Sequence, residues 1–457
     1  MNWYDSGSVP RDALPDTPAS VLKGIFLRWH RLEQAEKTVC LGIVLIPLWW
    51  LWGWSYLLLA LALGIYLYEY VDQGKIQLQN PGLVVLALTA YGAYDLISAI
   101  FYGFYHDASL SVRDFTESLN AIFAPAAIIW YVQSRRIRVR PSVVAWSFSV
   151  IVLLMLATWI YLVTVAHQAP FMPPRSLFGA LTHKPVEYVP GLGNTNYLIP
   201  YRAEDRSLPG FVRFFFFFHG PESLALVTGF IALLALDLNK RLWSVLLFSG
   251  AVFCLLMSGT RSVWLALPAT LLVRWLLKLG NTKNTWLVYA LAAFSSFLIM
   301  LPPVSDFILD TTSGTTKTTE EFRGDSTEVR AEIYRRTSER ILDSSNWELF
   351  VGHVVPGETV LPGYAPAMVG THSFYLGTLL YRQGLLGTGL FAFYWLSLIA
   401  WLYKTRRDRP IAVLLVFLLF SLTFGTMAFE SVVMPITLIC SVTRQPYRKM
   451  NPFALTH

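Results

Sequence analysis

The chain has 457 residues, of which 54% are hydrophobic, 15% aromatic and only 14% charged, with a net charge of +7. Soluble domains usually carry about 25% charged residues, so this composition excludes a disordered protein, a coiled coil and an ordinary soluble enzyme. Several apolar runs approach or exceed the ~20 residues that a helix needs to cross ~30 Å of hydrocarbon. The sequence therefore predicts an all-α, polytopic membrane protein.

Twelve apolar segments predict twelve transmembrane helices, and the stretch from Val21 to Leu32 predicts a basic interfacial helix before them. The predicted spans are 39–52, 54–71, 82–104, 115–133, 142–166, 214–236, 242–257, 262–278, 285–305, a long stretch at 373–403, 411–427 and 431–441. The predicted regions are a cytoplasmic segment at 1–38, helices 1–9 with an outer loop (167–213) at 39–305, a large periplasmic loop at 306–371, helices 10–12 at 372–441 and a cytoplasmic tail at 442–457.

The distribution of basic residues predicts the orientation. Lys and Arg make up about one residue in four of the loops on one side and about one in ten of the loops on the other, and the Lys/Arg-rich side is usually cytoplasmic. This places both termini inside. Residues 39–71 leave an alternative open, because one tilted span there would move the N-terminus to the other side.

The periplasmic loop contains a predicted amphipathic helix. Asp325 and Glu328 have the spacing of a capping box, which favours a helix start at Asp325. Arg330 and Tyr334 lie on one face of this helix. The adjoining face repeats at i+4 steps over about five turns, through Val329, Ile333, Thr337 and Ile341.

Three outer-face residues are suited to chemistry. Arg261 lies in the tight turn Ser258–Ser262, Arg330 lies on the loop helix, and His372 opens the stretch that returns to the membrane. Each has an ordinary alternative: an arginine that snorkels from a helix end, a salt-bridged solvated helix, and a structural histidine. Together, two guanidinium groups can bind a diphosphate leaving group, and an imidazole can accept a hydroxyl proton.

No metal site and no cofactor are predicted. The histidine spacings match no ligand motif, no Asp-x-Asp pair is present, and P-loop and Gly-x-Gly-x-x-Gly fingerprints are absent. Cys40, Cys254 and Cys440 lie in apolar runs, which favours three buried small side chains over disulfides.

Three of these segments resemble the O-antigen ligase and O-antigen polymerase family of bacterial envelope membrane proteins. Ser258–Leu265 resembles the family's arginine-containing turn between two mid-chain helices. Glu328–Tyr334, followed by Glu348–Gly352, resembles its outer-loop arginine helix, and Thr371–Leu376 resembles the histidine-containing start of the next helix. The likeness covers residues 200–400.

The resemblance implies a metal-independent, inverting glycosyltransferase that moves a glycan from undecaprenyl diphosphate to an acceptor hydroxyl. It implies that His372 activates the acceptor and that Arg261 and Arg330 bind the diphosphate. Further candidates for substrate binding are Arg206, Arg213 and Tyr334, with snorkelling an equal alternative for the two arginines. The implied partners are a lipid-linked glycan, the bilayer, and a lipid A-core, glycan or protein acceptor, with no nucleic acid. The implied location is the bacterial inner membrane, with the site on the periplasmic side.

Two other functions stay open. An O-antigen or exopolysaccharide polymerase would use the same donor chemistry. A solute or inorganic-carbon transporter, to which some family relatives have been linked, needs ionisable groups at mid-membrane. Asp95 and Arg382 are the main intramembrane charges here, and most other ionisable groups cluster at the outer rim.

Overall fold

The computed structural model describes residues 22–23, 26–105, 112–166, 172–188, 196–202, 212–279, 320–360, 367–423 and 430–442. Over these residues the protein is mostly helical, which confirms the predicted helical class. The strands among them form two short antiparallel pairs, β1 (Leu22–Lys23) with β2 (Phe26–Leu27) and β3 (Tyr201–Arg202) with β4 (Arg213–Phe214). The α-helices are α1 (Gln34–Val44), α2 (Ile46–Trp52), α3 (Leu57–Gln73), α4 (Leu83–Tyr105), α5 (Val112–Ser118), α6 (Ala124–Ser134), α7 (Pro141–Thr164), α8 (Leu177–Leu181), α9 (Pro221–Ala235), α10 (Arg241–Met257), α11 (Arg261–Leu279), α12 (Glu320–Leu342), α13 (Asn346–Val351), α14 (Gly384–Lys404), α15 (Ile411–Thr423) and α16 (Glu430–Ser441). π-helical turns occupy Leu119–Phe123 and Phe374–Arg382, and 3₁₀ turns occupy Trp29–Arg31 and Arg406–Asp408.

Four described helices are long and apolar enough to cross a membrane: α4, α7, α14 and the helical stretch Phe115–Ser134. The pair α1 and α2, bent by 58°, makes a fifth candidate. The apolar helices α9, α10 and α15 coincide with predicted spans but have fewer than 18 residues. Gly53, with φ 104°, ends α2 ahead of α3, so residues 39–71 are not one continuous helix. The predicted span 285–305 lies outside the described residues.

α9 is surrounded by other helices of the part of the chain that the structure describes. All but one of its side chains from Pro221 to Ala235 are buried, because α7, α10, α11, α15 and α16 pack around it. A helix that is apolar on all faces belongs in such a surrounded position. The N-terminus of α9 is thereby held in place, and it carries part of the candidate site.

The N-terminal segment differs from its prediction. β1 and β2 pair, and Trp29–Arg31 makes a single 3₁₀ turn, so the predicted interfacial helix from Val21 to Leu32 is wrong over the described residues. A stretch of this length is too short to be a stable helix in isolation, and Gly24 lowers its helix propensity further. Leu32 is buried between α1 and α7 instead.

The span predicted from residue 214 begins at Pro221, because the phenylalanine run before it belongs to the core. Residues Phe214–Phe218 are buried except for the partly buried Phe217. Phe216 has φ 49°, a left-handed conformation that interrupts any helix. Proline is favoured at the first position of a helix, which explains the actual start.

The helix predicted in the periplasmic loop is present as α12, but it starts earlier than expected. It begins at Glu320, so Asp325 lies inside the helix and not at its cap. Acidic residues at the start of a helix favour it through the macrodipole, and Glu320 and Glu321 supply them. The predicted apolar face is confirmed by the burial of Ile333 and Thr337.

The apolar stretch 373–403 is broken into the π-helical segment Phe374–Arg382 and α14. Gly384, with φ 63°, lies at the break against the backbone of Gly352, which has φ 91°. A Cβ added to Gly384 would lie 2.5 Å from the nitrogen of Gly352, so only glycine allows this approach. The contact fixes α13 to the beginning of α14.

Candidate functional site

The first group of candidate residues surrounds the N-terminus of α9. The buried Arg213 donates from Nε to the carbonyl oxygen of Ser258 at 2.8 Å, and its Nη2 lies 3.5 Å from Oε1 of Glu222. The hydroxyl of Thr260 donates to the carbonyl oxygen of Pro221 at 3.1 Å. These bonds join β4, the start of α9 and the turn between α10 and α11.

Arg261 is the first residue of α11 and directly follows that turn. The turn is as tight as predicted, because Gly259 has φ 65° and a Cβ there would lie 3.2 Å from Cγ of Arg213. The partly buried Arg261 follows Thr260, which is bonded to α9. Arg261 is therefore placed beside the helix start that carries Glu222.

The second group joins α12 to the loop that precedes the π-helical segment. The hydroxyl of Tyr334 donates to the carbonyl oxygen of His372 at 3.1 Å, and the N–H of Gly370 donates to Oγ1 of Thr337 at 2.9 Å. Tyr334 is buried in an apolar cluster, where burial raises its pKa. Arg330 precedes Tyr334 by four residues and so lies one turn away on the same face of α12.

His372 is held in an unusual conformation and an uncharged state. Its φ is 65°, in the left-handed region that costs energy for a residue with a Cβ. Its Nδ1 lies 2.8 Å from Oγ1 of Thr371. Its pKa is lowered to about 4, first by burial and then by the charge of Arg330, against the opposing effect of the Glu222 carboxylate. The imidazole is therefore neutral at pH 7, and both groups of candidate residues act on it.

Arg330 differs from the three arginines that follow it on α12, Arg335, Arg336 and Arg340. Arg335 contacts Glu332 and Glu339 at 2.7 and 2.5 Å. This exposed face of α12 is therefore solvated and held by salt bridges, as the ordinary alternative predicts. Within the described residues, no carboxylate forms an ion pair with Arg330. Its charge acts on the imidazole and the phenol of the second group.

The predicted site residues are thus brought together in two sets. The first set consists of Arg330, Tyr334 and His372. The second set consists of Arg213 and the turn that leads into Arg261. The electrostatic link between the two sets runs through Glu222. Arg206 lies outside the described residues.

Two residues of the site, Glu222 and His219, were not predicted from the sequence. His219 Nε2 lies 2.9 Å from Oγ of Ser223, and burial lowers the pKa of His219 while Glu222 raises it. The sequence Gly220-Pro221-Glu222 is typical of a helix start, with proline first and an acid in the first turn. This signal locates the helix start, but it does not show that Glu222 lies close enough to His372 to affect its pKa.

No group of three or more His, Cys, Asp or Glu side chains that could hold a metal ion occurs among the residues that the structure describes. The arrangement supplies a neutral nitrogen base next to guanidinium charge, which suits proton acceptance from a hydroxyl and binding of an anion. Comparison with models of known protein families, with curated proteins and with solved structures finds no match.

Proposed function

We propose that this chain is a membrane-embedded glycosyltransferase that moves a glycan from undecaprenyl diphosphate to an acceptor hydroxyl. In this proposal twelve helices span the bacterial inner membrane, both termini are cytoplasmic, and the His372 site opens on the periplasmic side. The observation that carries the proposal is the placement of His372, whose backbone carbonyl oxygen is bound by the hydroxyl of Tyr334 and whose pKa is lowered by burial and by Arg330. In the described part of the chain no carboxylate neutralises that guanidinium.

A neutral imidazole supplies the base that such a transfer needs. As the acceptor oxygen attacks the anomeric carbon, its proton passes to His372, and the bond from that carbon to the diphosphate oxygen breaks. Attack opposite the leaving group inverts the configuration at the carbon. The departing diphosphate takes the negative charge, which Arg330 and Arg261 stabilise through paired hydrogen bonds without a metal.

Glu222 and Arg213 support this reaction from the start of α9. Proton acceptance turns His372 into a cation, which Arg330 disfavours and Glu222 favours. Glu222 thus offsets part of the repulsion, as the carboxylate beside a catalytic histidine does in other enzymes. The contacts of Arg213 with Ser258 and Glu222 assign it to holding this end of the site together.

The acceptor separates two versions of this function. A ligase passes the finished glycan to lipid A-core or a protein, whereas a polymerase passes it to a second lipid-linked glycan, and both need the same donor-binding residues.

The transporter alternative would use Asp95. Asp95 accepts hydrogen bonds from Nε2 of Gln383 at 2.9 Å and Oγ of Ser118 at 2.6 Å, which is typical of a structural tie between helices.

A transfer assay on the purified protein tests the proposal, with a lipid-diphosphate-linked glycan, candidate acceptors, and chelator present or absent. We expect product in both conditions. His372→Gln should reduce kcat about 10²–10⁴-fold, the usual contribution of a general base. Arg330→Ala should reduce it about 10²–10³-fold, because charge stabilisation of the leaving group is lost. Arg335→Ala is the matched control on the same helix, and its kcat should stay within about twofold because its charge is already paired on an exposed face.

Parental activity of the His372→Gln protein would remove the base assignment. An equal loss in Arg335→Ala and Arg330→Ala would show that the assay reports the stability of α12 and not the charge of Arg330. Absence of transfer by the wild-type protein from every lipid-linked glycan tested would remove the function itself.

A further inference from the structure

The hydroxyl of Thr371 lies between a backbone carbonyl oxygen and a ring nitrogen of His372. Oγ1 of Thr371 donates to the carbonyl oxygen of Met368 at 2.6 Å, and it also lies 2.8 Å from Nδ1 of His372. A hydroxyl has one proton to donate and two lone pairs to accept with. Because its proton is directed to Met368, Thr371 accepts a hydrogen bond from the N–H at Nδ1.

This bond assigns the neutral tautomer of His372. A neutral imidazole has one N–H and one nitrogen with a free lone pair. With the proton on Nδ1, the basic nitrogen is Nε2. The tautomer of a catalytic histidine decides whether its base points at the substrate, and a wrong tautomer costs several orders of magnitude in the serine proteases.

We propose that Thr371 is a positioning residue that holds His372 in the Nδ1–H tautomer and thereby makes Nε2 the nitrogen that receives the acceptor proton. This inference rests on the proposed glycosyl transfer and deepens it. Thr371 acts through His372. Its role differs from that of Arg330 and Glu222, the charged groups that face the same imidazole from α12 and α9.

The backbone around this pair is fixed by α12. The hydroxyls of Tyr334 and Thr337 bind the backbone of His372 and of Gly370, on the two sides of Thr371. Between these bonds His372 has a φ of 65°, and its Nδ1 lies 2.8 Å from the hydroxyl of the preceding side chain. The contact between Thr371 and His372 is therefore built by the loop and its helix together.

Two substitutions of Thr371 separate the effect of its hydroxyl from that of its methyl group. Thr371→Val keeps the shape of the side chain and removes the hydroxyl, whereas Thr371→Ser keeps the hydroxyl and removes the methyl. We expect kcat to fall about tenfold or more in Thr371→Val, with KM for the lipid-linked donor unchanged, and to stay within about threefold in Thr371→Ser. A packing role predicts the reverse order, and either that order or parental kcat in Thr371→Val would overturn the proposal.

Nitrogen-15 NMR of the histidine-labelled protein reads the tautomer without substrate. The signals of His372 are identified by their absence from the His372→Gln spectrum. We expect a protonated Nδ1 and an unprotonated Nε2 in the wild type, and a proton shared between both nitrogens in Thr371→Val. A wild-type protein with its proton on Nε2 would overturn the proposal whatever the transfer assay shows. The expected spectrum together with no transfer by the wild type would overturn the glycosyl transfer and the role of Nε2 in it, but not the tautomer.

Discussion

The charge state of His372 depends on two neighbours of opposite sign. Burial is the largest cause of its lowered pKa, Arg330 lowers the pKa further, and Glu222 raises it. Thr371 and Tyr334 bind the residue through hydroxyl groups. Single substitutions can therefore move the pKa of His372 in either direction.

We expect Arg330→Gln and Glu222→Gln to shift the acidic limb of the plot of kcat against pH in opposite directions. Transfer needs the neutral imidazole, so kcat of the wild type falls as the pH decreases through about 4. Arg330→Gln removes a cation that opposes protonation, so the pKa of His372 rises and the limb moves to higher pH. Glu222→Gln removes an anion that favours protonation, so the limb moves to lower pH. The measurement is kcat against pH, using the residual activity of each variant.

Arg335→Gln controls for a general effect of charge on α12. Its guanidinium is exposed and already bound to two glutamates, so we expect the limb to stay where the wild type has it. Shifts of the same sign in the Arg330 and Glu222 variants would contradict the assignment of these two groups to His372.

Among individual residues, the sequence predicted those whose role follows from their residue type and their position in a helix or at the start of one. Arg330 and Tyr334 share a helical face four residues apart, and His372 stands at the start of an apolar stretch, so a local pattern was enough. Glu222 was missed because its electrostatic effect on His372 depends on the fold bringing together segments about 150 residues apart in sequence, and a local pattern carries no information on that distance. Nothing in the local pattern distinguishes Thr371 within the stretch Thr371–Leu376, because its hydroxyl gains its role from the geometry of one turn.

At the scale of elements, the close contact between α13 and α14 is the most sharply testable feature. Gly384→Ala should lower the free energy of unfolding by roughly 2–4 kcal/mol, because a Cβ meets the backbone of Gly352 and Phe350 within 2.6 Å in a left-handed conformation. Gly389→Ala, in the same helix, has nothing within 4 Å of the added carbon and should change stability by less than about 1 kcal/mol. Thermal or denaturant unfolding in detergent measures both, and equal stability of the two variants would contradict the contact.

Helices were easier to predict than their interruptions. The runs that became α4 and α7 are apolar over the length of a membrane span, so hydropathy alone located them. The stretch 373–403 is just as apolar, yet it breaks at Gly384 because the backbone of Gly352 approaches there, and hydropathy carries no information on such an approach. The capping box at Asp325 failed for a similar reason, since a good cap does not stop a helix that already began at Glu320.

At the scale of the whole molecule, basic residues at or near the predicted cytoplasmic ends of the helices also join helices to one another. Arg140 at the start of α7 binds the buried Glu36 of α1. Arg274 of α11 binds Asp237, which follows α9, at 2.8 Å. Arg409 donates to carbonyl oxygens at the end of α16. Residues that the sequence presents as orientation signals therefore have a second, structural role.

Cysteine labelling tests the predicted orientation. Asp343→Cys lies in the predicted periplasmic loop and Lys75→Cys in a predicted cytoplasmic one, and both positions are exposed. With a membrane-impermeant maleimide applied from the periplasmic side, we expect Asp343→Cys to react and Lys75→Cys to react only after the membrane is permeabilised. The native Cys40, Cys254 and Cys440 are buried and should contribute little background. Labelling of Lys75→Cys in intact membranes would contradict the twelve-span orientation.

The π-helical segment Phe374–Arg382 has nine residues and connects the left-handed His372 to the left-handed Gly384. Both of its ends are anchored, one to α12 and the other to the backbone of Gly352. Since each residue added to or removed from a helix rotates one end relative to the other, a single insertion or deletion here would turn the imidazole away from its partners. Divergent versions of this protein should consequently vary in composition along this stretch while preserving its length.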